Sequence, residues 1–544
     1  MLKRVALITL FVALASAGRA QTLPETGSFA IVDAKVEIGD GRTLDKATII
    51  IRDGQIQAVG KDLKIPADAE VVKGTGLVAY PGFIDAACTR GLKLPDPAPD
   101  QDLPPDTTSL APASMREANR KWIRPELLAR DFLALTDADL APMRRNGFCA
   151  ALLVPTGGLI TGVSTVVDLS GMPRRDVVLN GAVGMCMGFS PADAAAAGPR
   201  QPGAGGGGGY PGSLMGIIAH LRQTLIDADG HRKQVAQYAR SSVARPPFDD
   251  ALDALDPALT GAMPVLFSAD SKNEIVRALR LADEFHLKLV VSGGGEAWKM
   301  APELAKRGIP VLASVAYGDE PGVARPAFGG AGGAARPGGG RFGRPGGGRR
   351  GQGAQPGGQP PATADTPPVL QDIADVSQTP PAAAPGEAAT GAAAQREADD
   401  TPAEVTAEQH KKWEERIACA ARLESAGVPF AFTTAGLRSP TEFWRALRQT
   451  IAAGLPKQAA LRALTINPAR ILGVERQIGT IEAGKLANIV LMSGDFSDAA
   501  SQVKLLFIDK NKFDPSIETA TPAAPAAAAP ADDDLAQGGE EDRP

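Results

Sequence analysis

Residues 78–91 read VAYPGFIDAACTRG, and the rest of the chain is interpreted outward from this stretch. An apolar segment interrupted by Pro81 and Gly82 runs into Asp85 and continues with small side chains. A short apolar run bounded by turn-forming residues is typical of a buried strand. The stretch therefore predicts a buried strand with a carboxylate followed by small residues.

The composition is that of a soluble protein with a sizeable core. Of 544 residues, 44% are hydrophobic and 22% are charged, which leaves room for one large core or two domains. The formal net charge of −5 gives no reason to expect nucleic acid as a partner. The 61 glycines and 45 prolines concentrate in a few segments, so the folded part is predicted to be shorter than the chain.

Residues 1–20 have the pattern of a secretory signal peptide. A basic start precedes an apolar run at residues 5–17, and small residues surround a cleavage point after Ala20. The run is short for a membrane span, and no second run approaches about 20 residues, although an uncleaved anchor is the alternative. The sequence predicts a periplasmic or secreted protein with no membrane span after cleavage.

The four cysteines do not have the spacing of a zinc site. They are far apart and form no CxxC pair. Three lie in apolar runs, which predicts buried free thiols, with a disulfide as the alternative in an oxidising compartment. The four are Cys88, Cys149, Cys186 and Cys419.

Strand patterns at both ends of the chain predict one composite β-domain. Residues 28–79 alternate between apolar and polar, and Asp53-Gly54 suits the positive φ angles of a tight hairpin. Residues 478–513 again read as strands separated by turns. The two segments together predict a β-sandwich that flanks a central domain.

The central region, residues 80–317 and 412–477, alternates apolar strands with helical patterns. Such alternation is typical of repeated βα units around a parallel sheet. The predicted fold class is therefore α/β, a TIM-like (β/α) barrel, with an open sheet as the alternative. The candidate strands are residues 150–156, 263–269, 287–293, 309–315 and 428–434, and the candidate helices are residues 273–286, 296–308 and 440–454.

Three segments are predicted to lie outside the fold. Residues 318–411 are rich in Gly, Pro and Ala, cannot bury enough apolar surface to offset chain entropy, and are predicted to be a disordered insertion. Residues 194–213 form a shorter Gly-rich insertion, and residues 518–544 form a disordered acidic tail. The basic part of the long insertion has the composition of an RNA-binding segment. The preferred interpretation is an extended loop between two late barrel strands.

The opening stretch resembles the first barrel strand of the amidohydrolase superfamily, which typically reads PGLIDAHTHxG. Residues 465–495, TINPARILGVERQIGTIEAGKLANIVLMSGD, resemble the end of imidazolonepropionase-like members. Residues 427–436 resemble the last barrel strand, and residues 280–312 resemble a subgroup with a Gly-rich turn before E-A-W/Y. The resemblance covers residues 28–317 and 412–510. It implies a TIM-like barrel with a composite β-sandwich, and metal-dependent hydrolysis of C–N bonds, mainly in cyclic amides, but not of ordinary peptide bonds.

The resemblance also implies a divalent metal, usually zinc, held by His and carboxylate at the ends of barrel strands. The metal activates a bound water, and an Asp on the last strand accepts its proton. In this chain the aligned positions are Ala87 and Thr89 on the first strand, Ser292 on the fifth and Ala435 (or Thr434) on the last. Alanine has no donor atom and threonine is a poor zinc ligand, so no metal cofactor is expected here.

Small neutral residues remain at the expected mouth of the barrel. Ser292, Gly293, Gly294 and Thr434 are the candidate ligand-binding residues. A Gly-rich turn at a helix start is also a weak signal for anion binding. The four histidines, His220, His231, His286 and His410, are interpreted as solvent-facing or capping residues.

Two carboxylates are candidate catalytic groups if the chain is active. Asp270 is interpreted more simply as a cap of the following helix, and Glu296 as a group that complements a helix N-terminus. Cys88 would need a nearby base to act as a nucleophile, and no His is evidently placed for it.

Three functional hypotheses follow. The first is an exported amidohydrolase-family protein that is metal-free and catalytically degenerate, and that binds a small ligand or serves as a partner subunit of an intact amidohydrolase paralogue or of a second copy. The alternative is an active amidohydrolase with an unusual or relocated site, for which zinc is expected. The third is an envelope scaffold that acts through its insertion and tail.

Overall fold

The computed structural model describes residues 25–97, 116, 120–190, 211, 213–241, 243–321 and 403–516. The predicted signal peptide, the acidic tail and most of the two insertions lie outside the described residues. The chain divides into two compact units, Met1–Gly318 with Lys411–Pro544, and Asp319–His410. No helix in the described ranges is long and apolar enough to cross a membrane.

Nineteen strands are found in the described residues. They are β1 Glu25–Thr26, β2 Phe29–Glu37, β3 Thr43–Arg52, β4 Gln55–Gly60, β5 Glu70–Lys73, β6 Val78–Pro81, β7 Phe83–Cys88, β8 Phe148–Leu153, β9 Ile160–Val163, β10 Thr165–Asp168, β11 Val178–Asn180, β12 Met185–Gly188, β13 Val265–Ala269, β14 Leu289–Gly293, β15 Val311–Ser314, β16 Phe430–Thr433, β17 Ile489–Met492, β18 Val503–Ile508 and β19 Asn511–Phe513. All five candidate strands of the central region are confirmed, as β8, β13, β14, β15 and β16.

Strands from the two ends of the chain form a single sheet. Its order is β1-β19-β18-β17-β6-β2-β3-β4, and β5 pairs with β2. The two ends meet at the antiparallel pair β6 and β17, where Pro81 lies opposite Ile489. One face carries its own apolar core, which includes Phe29, Ile49 and Phe507. The two ends therefore share a sheet, whereas a sandwich of two sheets is not confirmed.

The central region contains two further sheets, with strand orders β11-β10-β8-β7 and β16-β15-β14-β13-β12-β9. Strands β7 and β8 are parallel, as are β12 to β16. Ser164 alone separates β9 from β10, and these two strands pair with different sheets, so one bent segment connects β8 to β12. Among the described strands no backbone ladder joins β7 to β16. The architecture is of the TIM-barrel type, but the predicted closed barrel is not confirmed.

Alternate residues of the central strands pack into a small inner core. Because side chains along a strand alternate in direction, the intervening residues face the opposite side. The inner core includes Ile84, Ala150, Cys186, Leu266, Val290, Leu312 and Ala431. The larger core against the helices includes Phe148, Phe267, Val291 and Phe432. The position of a residue within its strand therefore decides which core it joins.

Twelve helices are found in the described residues, and they include the three candidate helices of the central region. They are α1 Asp137–Arg145, α2 Arg174–Val177, α3 Leu214–Tyr238, α4 Asp250–Ala254, α5 Asp256–Leu259, α6 Lys272–Phe285, α7 Ala301–Arg307, α8 Ala403–Ile417, α9 Cys419–Ser425, α10 Phe443–Ala452, α11 Lys457–Leu464 and α12 Ile466–Ile471. Short 3₁₀ turns occupy Ala129–Phe132, Ala297–Met300 and Pro440–Glu442. The three candidate helices are confirmed, two of them with a 3₁₀ first turn.

The predicted disordered range extends too far at its C-terminal end. Helix α8 begins at Ala403, inside the range 318–411. Residues 403–411 read AEVTAEQHK and lack the Gly and Pro of the preceding segment. Ala, Glu, Gln and Lys favour helix. This part of the prediction is therefore wrong, because it extended the Gly- and Pro-rich composition of residues 318–402 to nine residues that have a helical composition.

Asp85 connects the first and last parallel strands. Its Oδ1 accepts hydrogen bonds from the backbone N–H groups of Thr434 (2.9 Å) and Ala87 (3.2 Å), and its Oδ2 accepts one from the Thr434 hydroxyl (2.5 Å). The Thr433 hydroxyl donates to the carbonyl oxygen of Ala87 (3.0 Å). These bonds hold β7 beside β16 where the ladder is missing. Asp85 is completely buried, and burial raises its pKa to about 7.

The buried carboxyl of Asp85 should make stability depend on pH. Its pKa is raised from 3.8 to about 7 in the folded chain, so the unfolded chain binds fewer protons between these values. Stability relative to Asp85→Asn should therefore fall as pH rises from about 4 to 7, by up to about 4 kcal/mol. Urea unfolding of both proteins across this range measures the difference.

An exposed acid serves as the control for this effect. Asp53→Asn, at an exposed hairpin turn, should leave the difference from the unaltered protein nearly flat over the same pH range. A flat difference for Asp85→Asn as well would contradict the buried, raised-pKa assignment.

Candidate functional site

Two serines lie side by side at the C-terminal ends of β13 and β14. Ser268 and Ser292 are register partners on these parallel strands. Leu266 and Val290, two residues earlier, belong to the inner core, so strand alternation directs both serines to the side of the sheet that carries this core. Both are half-buried, and neither hydroxyl bonds to another group in the part of the chain that the structure describes. Their hydroxyls are therefore available to a ligand.

The neighbouring hydroxyl groups are used by the fold. Thr434 gives both its N–H and its hydroxyl to Asp85. The Ser314 hydroxyl donates to the carbonyl oxygen of Ala435 (2.9 Å), and the N–H of Ala435 donates to the Thr433 hydroxyl (2.8 Å). Thr434, a predicted ligand-binding residue, thus gives both of its donor groups to the junction between β7 and β16.

The glycine-rich turn after β14 is closed by hydrogen bonds of its own. Gly293 and Gly294 have φ angles of 103° and 61°, which favour glycine. The N–H of Gly294 donates to the carbonyl oxygen of Ala269 (2.9 Å), and that of Gly295 donates to Asp270 Oδ1 (2.8 Å). Because these N–H groups are satisfied within the protein, they do not form an anion cradle. Gly293 and Gly294 instead place the turn beside Ser292.

Asp270 holds the turn in place. Its Oδ1 accepts the N–H of Gly295, and its Oδ2 accepts a hydrogen bond from Arg416 Nη2 (2.8 Å). Ser271 and Glu274 form the capping box of α6, with the Ser271 hydroxyl accepting the N–H of Glu274 (3.3 Å). The expectation that Asp270 caps this helix is therefore wrong, since its side chain faces the turn and Arg416.

Glu296 complements the N-terminus of α6 and not that of the 3₁₀ turn Ala297–Met300, which it directly precedes. Its Oε2 accepts the N–H of Lys272 at the start of α6 (2.9 Å), and its Oε1 pairs with Lys299 Nζ (2.5 Å). The hydrogen bond from Lys272, followed by that from Lys299, lowers the pKa of Glu296. A carboxylate held ionised by two donors is a structural anchor and a poor proton acceptor.

The positions aligned with the family's metal ligands do not fit zinc. Ala87 is buried, Thr89 is exposed, and Ser292 and Ala435 are half-buried. They supply two methyl groups and two neutral hydroxyls, whereas zinc prefers thiolate, imidazole and carboxylate. Within the described ranges, no group of three or more His, Cys, Asp and Glu side chains is placed to hold a metal ion.

The four histidines lie on helices or at a helix end. His231 Nε2 is 3.0 Å from Asp253 Oδ1, and His410 Nε2 is 3.1 Å from Glu320 Oε1. His286 ends α6 in the left-handed conformation, a capping role. His220 is 1% exposed and bonds to a backbone carbonyl, so the expectation of a solvent-facing or capping role is wrong for it and for the buried His231. Both lie on the packed face of the long helix α3.

A groove lined by both polar and apolar residues adjoins the C-terminal end of β7, where Thr89 follows the strand. Its volume is about 310 Å³. Arg124 contributes a guanidinium whose Nη1 donates to the carbonyl oxygen of Pro95 (2.7 Å). Neither Arg124 nor Thr156 belongs to a motif, so sequence reasoning missed both. The lining residues are Thr89, Leu92, Leu94, Pro95, Asp96, Pro97, Arg124, Val154, Thr156 and Gly157.

Comparison with known proteins agrees with this architecture. Residues 389–521 match the model of the amidohydrolase family. The dihydroorotases of Mycobacterium tuberculosis (strain ATCC 25618 / H37Rv) and Mycobacterium bovis (strain ATCC BAA-935 / AF2122/97) are each 45% identical over 47 residues, which is 9% of this chain and 10% of theirs. The chain thus spans about a tenth of the length of these curated relatives.

A solved structure extends the likeness to most of the chain. The amidohydrolase from Thermotoga maritima MSB8 is 19% identical, covers 89% of this chain and 100% of its own, and has a TM-score of 0.61. At this identity the likeness establishes the fold alone. The family match thus covers residues 389–521, and the solved amidohydrolase shows a shared fold over most of the chain.

All four cysteines are buried free thiols, as the apolar runs around three of them predict. Burial raises the pKa of Cys88 and of Cys186 to about 12, and that of Cys419 to about 11. The pKa of Cys149 is raised for the same reason. A buried thiol that resists ionisation is a poor nucleophile, which argues against Cys88 as the centre of a relocated site.

Thiol reactivity should report this burial. In the folded protein at pH 8, Cys88 and the other three cysteines should react with Ellman's reagent only on the timescale of unfolding, and all four should react at once in guanidinium chloride. Thr89→Cys places a thiol at the exposed neighbouring position and should react rapidly without denaturant. Rapid labelling of Cys88 in the unaltered protein would contradict the burial.

Proposed function

We propose that this chain is an exported, catalytically degenerate amidohydrolase-family protein that binds a ligand or a partner protein without hydrolysing it. The ligand site of the proposal is the mouth of the barrel-type ring, at the ends of β13 and β14. The fold in this proposal rests on the likeness to amidohydrolases. The proposed loss of the reaction rests on the residues at the strand ends.

The observation that carries the proposal is the chemistry of the aligned ligand positions. Ala87 and Ala435 have no donor atom, and the N–H of each is bonded to a side chain that joins β7 and β16. Thr89 and Ser292 offer only neutral hydroxyls. Family catalysis needs a metal to activate water, and a donor set without imidazole, thiolate or carboxylate does not support that step.

The charges around the mouth support binding of an uncharged ligand. Asp270 is paired with Arg416, and Glu296 is paired with Lys299. Ser268 and Ser292 present two neighbouring hydroxyls, each able to donate and to accept. A small neutral molecule with adjacent hydrogen-bonding groups suits these two hydroxyls, because the carboxylates of the neighbouring turn, Asp270 and Glu296, are each paired with a cation.

The proposal includes a partner and a location. An intact amidohydrolase or a second copy is the proposed protein partner, and export is proposed because residues 1–20 have the pattern of a signal peptide. The active alternative receives no support from Asp270 or Glu296, because both carboxylates are engaged in holding the turn and the start of α6.

Metal content tests the proposal directly. The unaltered chain, loaded with excess zinc and then desalted, should retain far less than about one zinc per chain. Replacing all four aligned positions (Ala87→His, Thr89→His, Ser292→His and Ala435→Asp) should raise retained zinc toward about one per chain if the strand ends keep the family's geometry. Plasma mass spectrometry measures the metal.

A single replacement is the matched control for this experiment. Thr89→His alone adds one imidazole at the exposed position and should retain no more zinc than the unaltered chain. About one zinc per unaltered chain, together with amide hydrolysis that a chelator abolishes, would overturn the proposal.

A further inference from the structure

The end of the long helix α3 projects from the protein surface. His231, bonded to Asp253, is its last buried residue. From Lys233 to Arg245 every described residue is exposed. The chain rejoins the body at Asp249, which caps α4 and forms an ion pair with Arg120 (2.8 Å). Both ends of the projection are therefore anchored, and we call residues 233–248 the basic tip.

The basic tip exposes four apolar side chains, two at the end of α3 and two in the segment after it. Phe248 is 74% exposed, Tyr238 44%, Val235 41% and Val243 40%. Val235 and Tyr238 are three residues apart and share a helix face. Val243 and Phe248 follow in the segment that leads from the end of α3 to Asp249.

The charge of the basic tip has one sign only. It contains Lys233, Arg240 and Arg245 and no acidic residue, in a chain whose net charge is −5. Lys233 contacts Asp229 at its base (2.5 Å), whereas Arg240 and Arg245 have no acidic partner among the described residues. Exposed aromatic and aliphatic groups among arginines match the surface of an anionic membrane, where rings enter the interface and cations meet phosphates.

We infer that the basic tip docks this protein on an anionic phospholipid surface. Phe248 and Tyr238 would enter the interfacial layer, and Arg240 and Arg245 would contact lipid phosphates. A second copy is a poorer occupant, because the same positively charged tip on both copies would repel. The inference does not depend on the proposed loss of catalysis, since the tip lies outside the strand ends.

Co-sedimentation with vesicles tests the inference on the full chain. At about 50 mM salt, where screening is modest, the chain should sediment far more with vesicles of equal parts phosphatidylglycerol and phosphatidylcholine than with phosphatidylcholine alone. Arg240→Gln with Arg245→Gln should lower partitioning about 25-fold, from about fivefold for each charge near the surface. Phe248→Ser should lower it by about tenfold or more.

Matched variants separate the tip from general surface effects. Met215→Ser removes an 81% exposed apolar residue at the other end of α3, and Arg280→Gln removes an exposed charge on α6. Both should leave partitioning unchanged, and melting temperature confirms that all variants are folded. All variants contain residues 1–20, so any contribution of these residues to vesicle binding is the same in each comparison between variants.

Two results would overturn the inference. One is partitioning that the tip variants and the control variants affect equally. The other is binding of the tip to a peptide of residues 518–544, with its acidic DDD and EED runs, in the absence of any binding to anionic vesicles. The latter result would assign the tip to the acidic tail of this chain.

Discussion

The central strands depend on a side-chain connection between the first and the last of them. Buried backbone groups need partners, because an unpaired buried group costs free energy, and no ladder joins β7 to β16 among the described strands. Between β7 and β16 this role falls to Asp85, which binds two backbone N–H groups and one hydroxyl, and to Thr433, which binds the carbonyl of Ala87. A buried carboxylate with three donors can bridge strands that the backbone alone does not join.

The passage from the terminal sheet into the central strands requires a glycine. Gly82 lies between β6 and β7, where the chain passes from the terminal sheet to the central strands, and its N–H donates to the carbonyl of Asn488 (2.7 Å). A Cβ atom there would lie 2.6 Å from Cβ of Cys149, so only glycine fits. The motif Pro-Gly-Phe-Ile-Asp is thus dictated by the passage between sheets and by the strand junction, and neither requirement involves a metal.

The sequence predicted the strands well because their apolar runs are short and bounded by turns. All five candidate strands and the union of the two chain ends follow from such local patterns. The partners of Asp270 and Glu296 could not be predicted, because Arg416 is 146 residues from Asp270 and the N–H of Lys272 is 24 residues from Glu296. Ser268 was missed for a similar reason, since only its register with Ser292 makes it notable.

The opening stretch therefore carries two separable kinds of information. Residues 80–86 are constrained by packing and by the Asp85 junction, and a change there would disturb the fold. Ala87 and Thr89 are not constrained in this way, because the junction uses the backbone of Ala87 and the side chain of Thr89 is exposed. Imidazoles at these two positions could be lost without loss of the strand. The fold of this stretch and the chemistry of the strand ends can therefore vary separately, since different residues support the two properties.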